Sequence, residues 1–368
     1  MLMPIMQLTV LIFLHAARKF HKLGGASGLL AALNRQNDSG DGVICEHFEI
    51  LVLDVKDIAG DLEGMLVASE ARDYTKNLLR ACAPKVQQHP QAARVRYLLI
   101  HKLTDFTRVL DALADGEAVR QSLVRWIRHL VEEEEQGRGP IRVFNKQLDS
   151  IFLLSDRTLT GELVRRECEE AGFATEGVLW PEFYKYDSLL EPLTYPVIIK
   201  PNDANNVHAH WMTVVTNNDQ WPQLSGKPEF IKQQFYPHHG VLFKVYVIGE
   251  IVEIVVRPSI SVKGNDVIAK DPISFHTHQF KSSDAALPAA MAQWHLQQLF
   301  KPHEALIYRF VKHIKGVLQM ETFGVDIIFP EGTKKIAVID INYFPGYDGV
   351  EDLAFKFVAS LGIGSCRQ

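Results

Sequence analysis

The stretch FGVDIIFPEGTKKIAVIDINYFPGYDGV, residues 323–350, reads as a β-hairpin. Two apolar runs, 324–329 and 336–342, flank PEGTKK, whose Pro and Gly mark a turn. Asp326 stands inside the first run. Asp340 and Asn342 stand two apart in the second, so both face one side of the strand. Oxygen-bearing side chains among buried apolar neighbours cost free energy unless a partner joins them. A divalent cation is such a partner, and hard oxygen donors completed by phosphate suit magnesium. The plainer explanation is a set of polar residues at a sheet edge. The D-x-N spacing with FPGY close behind weighs against it.

A second hairpin lies upstream. Residues 241–248 and 251–257 flank Gly249 and Glu250. If those two form the turn, Lys244 pairs with Val255 and Leu242 with Arg257. Lys244 and Arg257 then emerge on one face as diagonal neighbours. Two cations held that close repel each other unless an anion joins them or solvent screens them.

Further outward, residues 8–14, 48–55 and 95–100 read as strands, with part of a short helix at 27–33 and a loop at 34–42, NRQNDSGDG. Val119, Leu123, Ile127 and Leu130 set an apolar stripe on a helix over 116–135. That helix ends in EEEE, which opposes the helix dipole and predicts fraying. A short strand is expected at 142–145. Asp156 is placed to start a helix that runs to about Ala171 and stops at Gly172. Strands follow at 195–200, 211–215 and 229–235, with a polar, turn-rich loop after Lys200.

The chain has 368 residues, enough for two or three domains, and 47% of them are hydrophobic, enough for a core in each. A net charge of −5 argues against nonspecific binding to nucleic acid, though a small polyanion needs only a local basic pocket. Residues 1–17 carry no Lys, Arg, Asp or Glu, yet they are short for a membrane span and lack the positive start of a signal peptide. A buried first strand is expected there. No two of the four cysteines lie within 30 residues of each other, which excludes a CxxC motif and points to a reducing compartment inside the cell. The expected location is cytoplasmic, with the nucleus left open. GxGxxG, GxxxxGK[ST] and GxSxG motifs are all missing. The fifteen histidines, HAH at 208–210, HH at 238–239 and HTH at 276–278 among them, lack the cysteines or HExxH helix of a zinc site, and most are expected at the surface or in loops.

At Lys200, Lys244, Arg257, Asp326, Asp340 and Asn342 the chain resembles the inositol 1,3,4-trisphosphate 5/6-kinases, also called inositol-tetrakisphosphate 1-kinases, of the ATP-grasp superfamily. The matching strings are LLIHKLTD at 98–105, LLSDR at 153–157, QQFYPHHGVLFKVYVIGE at 233–250, VVRPSI at 255–260 and the 323–350 stretch itself. The resemblance implies an α/β fold of ATP-grasp type: an N-terminal inositol-phosphate-binding α/β domain at 1–152, and two α+β domains, 153–235 and 236–368, enclosing the nucleotide. It implies magnesium-dependent transfer of the ATP γ-phosphate to a hydroxyl of an inositol tris- or tetrakisphosphate, with two magnesium ions. The expected partner is an inositol polyphosphate, without nucleic acid or stable membrane insertion, and the chain is expected to be a monomer.

The same resemblance implies roles residue by residue. Arg157 and Lys200 resemble the basic ATP-phosphate ligands. The segment from Gln233 to Lys244 resembles the strand that holds adenine and ribose. Ser259 and Thr277 resemble further nucleotide contacts. Arg257 resembles the cation near the transferred phosphate, and Lys244 a residue shared by nucleotide and substrate. Lys19, Lys102, His210, Asn342 and Gly346 resemble substrate contacts. Asp326, Asp340 and Asn342 resemble the magnesium ligands. One departure matters: the family follows its strand lysine with His-Gly-Thr, whereas this chain has PNDANNVHAH at 201–210. The first histidine falls on Asn205 and the glycine on Asn206, while His208 is the nearest imidazole that could stand in. Two alternatives therefore stay open, another ATP-grasp enzyme such as a carboxylate–amine ligase, and a non-catalytic inositol-phosphate-binding scaffold.

Overall fold

A computed structural model describes residues 5–14, 21–38, 44–53, 71–92, 94–101, 116–186, 194–205, 208–221, 229–262, 271–281 and 287–361. Lys19, Lys102 and Asn206 lie outside the described residues. In chain order the elements begin with β1 (Ile5–Leu14), α1 (Gly25–Asp38), β2 (Ile44–Leu53), α2 (Ala71–Gln87), β3 (Arg94–His101), α3 (Gly116–Glu135) and β4 (Ile141–Val143). Next come α4 (Leu148–Leu153), α5 (Arg157–Glu170), β5 (Val178–Leu179), β6 (Phe183–Lys185), β7 (Val197–Pro201), β8 (Trp211–Val215) and β9 (Phe230–Gln234). The remainder is β10 (Val241–Ile248), β11 (Ile251–Pro258), β12 (Ile273–His276), α6 (Ala289–His295), α7 (Glu304–Leu318), β13 (Thr322–Ile328), β14 (Ile336–Tyr343) and α8 (Leu353–Ser360).

The chain forms two compact units. The first comprises Met1–Leu148, Ile248–Ile251 and Gly346–Gln368. Its four strands are parallel in the order β2-β1-β3-β4. The uncharged N-terminal segment is the inner strand β1, where Leu8, Val10, Leu11, Ile12 and Phe13 are fully buried. A parallel strand covered on both faces reads as a nearly continuous apolar run, which is why this segment looked membrane-like in composition. Among the described residues no helix is long and apolar enough to cross a membrane.

Two expectations for this unit need correction. Residues 34–38 continue α1 instead of forming a loop, and 39–42 lie outside the described residues. Arg35 and Gln36 are good helix formers and carry the helix through Asn34, Asn37 and Asp38. The acidic end of α3 does not fray. Glu133 accepts from Arg138 at 3.0 Å, Glu134 from the Val143 amide at 2.8 Å, and Glu135 from Lys146 at 3.0 Å. Those donors offset the unfavourable dipole, and Gly137 closes the helix at φ +66°.

The second unit comprises Asp149–Val247 and Val252–Pro345. It holds two five-stranded sheets, ordered β11-β10-β13-β14-β5 and β12-β8-β7-β9-β6. Helix α5 begins where the sequence placed it: the Asp156 side chain accepts from the Leu159 amide at 3.0 Å, a cap contributing about 1 kcal/mol. Position 161 of α5 has room for glycine and for no side chain without displacement of its neighbours. A Cβ on it would stand 2.6 Å from the Phe183 ring and 2.7 Å from Trp180 Nε1.

Candidate active site

In the second unit, Lys200 lies on β7 and Gln233 on β9. The register pairs Lys200 with Ile231 and Ile198 with Gln233. Residues directly opposite share a face, so Lys200 and Gln233 share theirs. Lys232 takes the other face. Its ammonium stands 6.0 Å from the centroids of the Tyr184 and Trp221 rings, a cation–π arrangement that sequence reading missed.

Arg157 is the first residue of α5 and is almost wholly buried. Its guanidinium donates to the Pro201 carbonyl at 2.5 Å and the Ala209 carbonyl at 3.3 Å. Its Nη2 stands 3.8 Å from Asp340 Oδ2. Asn202 locks this corner. Its Oδ1 accepts from the Thr158 amide and hydroxyl at 3.0 and 2.9 Å, and its Nδ2 donates to Asp156 at 2.9 Å. The loop after Lys200 is therefore fastened to the start of α5.

The hairpin of β13 and β14 carries the carboxylates. Asp326 is the direct cross-strand partner of Asp340, and Gly324 that of Asn342. Asp326, Asp340 and Asn342 thus lie on one face, as the sequence spacing requires. A bulge follows Asp326. The Lys200 ammonium donates to the Ile339 carbonyl at 3.4 Å. The Lys244 ammonium lies 2.7 Å from both Asp326 oxygens. The anion that meets Lys244 is thus the Asp326 carboxylate, and the solvent-facing alternative for this lysine does not hold. Arg257 sits half-buried on β11.

Charge and burial set the chemistry of these groups. Burial pulls Lys200 down to about 8, with Asp340 pulling the other way and Arg157 adding to the fall. Burial also works against the Lys244 ammonium, but the adjacent Asp326 carboxylate outweighs it and holds the lysine charged. Two carboxylates and one amide do not make a protein-only metal cage. Among the described residues no group of three or more His, Cys, Asp or Glu side chains is arranged to hold a metal ion. That donor set fits magnesium, which is commonly held by one or two carboxylates together with water and substrate phosphates. A nucleotide also fits. Arg157 Nε and Gln233 Nε2 are buried donors with no hydrogen-bond partner among the described residues, and such donors are costly unless an acceptor arrives.

The remaining expected residues fall into two groups. Ser259 Oγ lies 3.0 Å from His238 Nε2, and His238 Nδ1 lies 2.6 Å from the Tyr236 carbonyl. A carbonyl only accepts, so Nδ1 carries the proton and Nε2 accepts from the serine hydroxyl. His210 Nδ1 meets Thr277 Oγ1 at 3.1 Å, and its ring centroid lies 4.0 Å from His278 and 5.7 Å from His276. The HAH and HTH motifs, separate in sequence, thus meet beside the altered loop. There the backbone N–H of Asn205 donates to Asp203 Oδ1 at 2.7 Å. His101, His238 and His295 are buried, and His238 lies in the loop between β9 and β10. In the first unit, Gly346 lies against the ion pair of Lys22 and Asp348. Lys22 is a cation that sequence reading passed over in favour of Lys19.

Residues 185–361 match the family model described as the inositol 1,3,4-trisphosphate 5/6-kinase ATP-grasp domain. The matched segment is an ATP-grasp domain. At the family level it is similar to inositol-tetrakisphosphate kinases. The inositol-tetrakisphosphate 1-kinase of Xenopus laevis is 31% identical over 268 residues, and that of Danio rerio 29% identical over 267. Each alignment covers 69% of this chain and 64% of the relative, so the chain spans about two thirds of the length of these relatives. Among solved structures, the ATP-grasp ligase PsnB in complex with a minimal precursor aligns with a TM-score of 0.49 at 12% identity, covering 95% of this chain and 98% of that one. A RimK-domain ATP-grasp protein of Sphaerobacter thermophilus aligns with a TM-score of 0.44 at 13% identity, covering 96% and 98%.

Proposed function

We propose that this ATP-grasp protein is an inositol polyphosphate kinase. It transfers the ATP γ-phosphate to a hydroxyl of an inositol tris- or tetrakisphosphate. The observation that carries the proposal is the cross-strand pair Asp326 and Asp340, with Lys244 on one carboxylate and Arg157 near the other. Phosphoryl transfer asks a protein mainly to position its reactants and stabilise charge, and this arrangement supplies both signs of charge within one face.

In this reading Arg157 and Lys200 hold the nucleotide phosphates, and Arg257 faces the charge that develops on the transferred group. Gln233, Ser259 and Thr277 complete the nucleotide contacts. Asp326, Asp340 and Asn342 hold magnesium, which when bound neutralises phosphate charge. Lys244 is shared by nucleotide and substrate, His210 and Asn342 contact the substrate, and Lys19, Lys102 and Gly346 are assigned that substrate role. Arg offers a planar fork to two phosphate oxygens while Lys offers a movable point charge, so their division between fixed and shared positions is chemically sensible. The proposed organisation keeps three domains, 1–152, 153–235 and 236–368, in a cytoplasmic protein.

The test is incubation with ATP, magnesium and a panel of inositol phosphates, with products resolved by chromatography or NMR. New phosphate on an inositol ring is the expected result. Phosphate release that depends on an amino-acid acceptor would instead favour the carboxylate–amine ligase. ATP binding absent altogether would favour the scaffold, which the asparagines at 205 and 206 motivate.

A further inference from the structure

Lys244 projects from β10, the neighbour of β13 in the sheet. Its ammonium is equidistant from the two oxygens of Asp326, at 2.7 Å each. Both side chains are mostly buried, 24% and 12% exposed. A single contact would leave one carboxylate oxygen open, whereas this one engages both. Asp340 is held differently. Its nearest ion-pair partner is Arg157 at 3.8 Å, beyond hydrogen-bond range, and that guanidinium spends donors on two backbone carbonyls.

Magnesium binds carboxylate oxygens at roughly 2.0–2.1 Å. A divalent ion on Asp326 would therefore sit beside the Lys244 ammonium, cation against cation, where burial limits screening. The ammonium and the metal compete for the same two oxygens. Lysine can yield, because its charge rides on a flexible four-carbon stem, but it needs another anion to go to.

We propose that Lys244 gates metal loading. It holds Asp326 until a nucleotide phosphate draws the ammonium away, so the divalent ion is taken up together with the nucleotide and not ahead of it. The proposal rests on the metal reading of the hairpin given under Proposed function. It adds that Lys244 acts as a competitor of the metal as well as a phosphate ligand.

The test uses Mn2+ as the probe, with free ion measured by electron paramagnetic resonance on the full chain. Wild-type protein alone should bind Mn2+ weakly, and Lys244→Met should bind it about tenfold or more tighter, the usual size of a coupling between sites. Lys244→Gln should do the same, which guards against a folding defect in the first variant. Adding Asp340→Asn to Lys244→Met should remove the gain, tying the ion to the hairpin. A non-hydrolysable ATP analogue should raise wild-type Mn2+ uptake beyond what the free analogue holds. If the nucleotide-loaded wild type takes up Mn2+ but neither Lys244 variant gains affinity without nucleotide, the gate is wrong and the metal site stands. If no form takes up Mn2+, the metal reading falls and the gate with it.

Discussion

Asp326 lies directly opposite Asp340 in the β13–β14 hairpin, so two carboxylates issue from one face of adjacent strands. Placed side by side, they resist ionising together unless cations join them. Burial, with Asp340 adding to it, pushes the Asp326 carboxyl upward, while Lys244 acts in the opposite direction. The cations around the hairpin are thus part of what keeps it charged.

Asp340→Ala should leave the fold intact and abolish phosphoryl transfer. The expected loss is about 1,000-fold or more, as for removal of a group that stabilises transferring charge. Far-ultraviolet circular dichroism checks the fold and a product assay checks the chemistry. Retained magnesium-dependent transfer would overturn the assignment.

Nucleotide affinity should depend on Lys200. Its ammonium loses its proton at about 8, and phosphate favours the charged form. Affinity should therefore be full a unit or more below pH 8 and fall by up to about tenfold per unit as pH rises above it. Lys200→Arg should flatten the profile, because arginine stays protonated. Calorimetric titration with ATP between pH 7 and 9.5 distinguishes the two.

The first unit should lose stability in mild acid through His101. Burial drives this imidazole down to about 3, while an unfolded chain binds the proton near 6.5. Between those values the unfolded state holds more protons, so stability is present above pH 6.5 and is lost as pH falls. From pH 7 to 5 the loss from this residue is about 2 kcal/mol. Denaturant titrations should show a smaller loss in His101→Asn than in wild type.

Two helical glycines should respond in opposite directions to alanine. Nothing lies within 4 Å of a Cβ on Gly316 in α7, so Gly316→Ala should stabilise by about 0.5–1 kcal/mol. Gly161→Ala meets Phe183 and Trp180, and overpacking of roughly 1–3 kcal/mol exceeds the helix gain. Thermal melts of the two variants, side by side, read out the sign.

Much of this was legible where a residue type conflicts with its surroundings. An aspartate inside VDIIF and the D-x-N of IDIN announced a shared face, and Asp156 announced the start of α5. Elements with weaker contrast were missed. Helix α2 is largely polar and contains Pro84, so neither its composition nor its propensity marks it. Helix α7 did carry a readable stripe, Ile307, Phe310, Val311, Ile314 and Leu318, all buried, and counting at helical spacing would have found it. The Lys244–Asp326 contact joins residues 82 positions apart. Strand periodicity gives the face of each but not the neighbour across the sheet.

Strand β14 has one neighbour close in sequence and one far away. Its pairing with β13 closes a local hairpin, but its other edge is covered by Val178–Leu179, two residues from well upstream. Local pairings form with little loop entropy, and distant ones are slow. The carboxylate hairpin can therefore assemble early, with its outer edge capped late. A partly folded chain would expose a bare strand edge, a template for pairing with other chains. Mutations in the two-residue β5 should thus show themselves first as lower yield of soluble protein, before any change in the chemistry of the site.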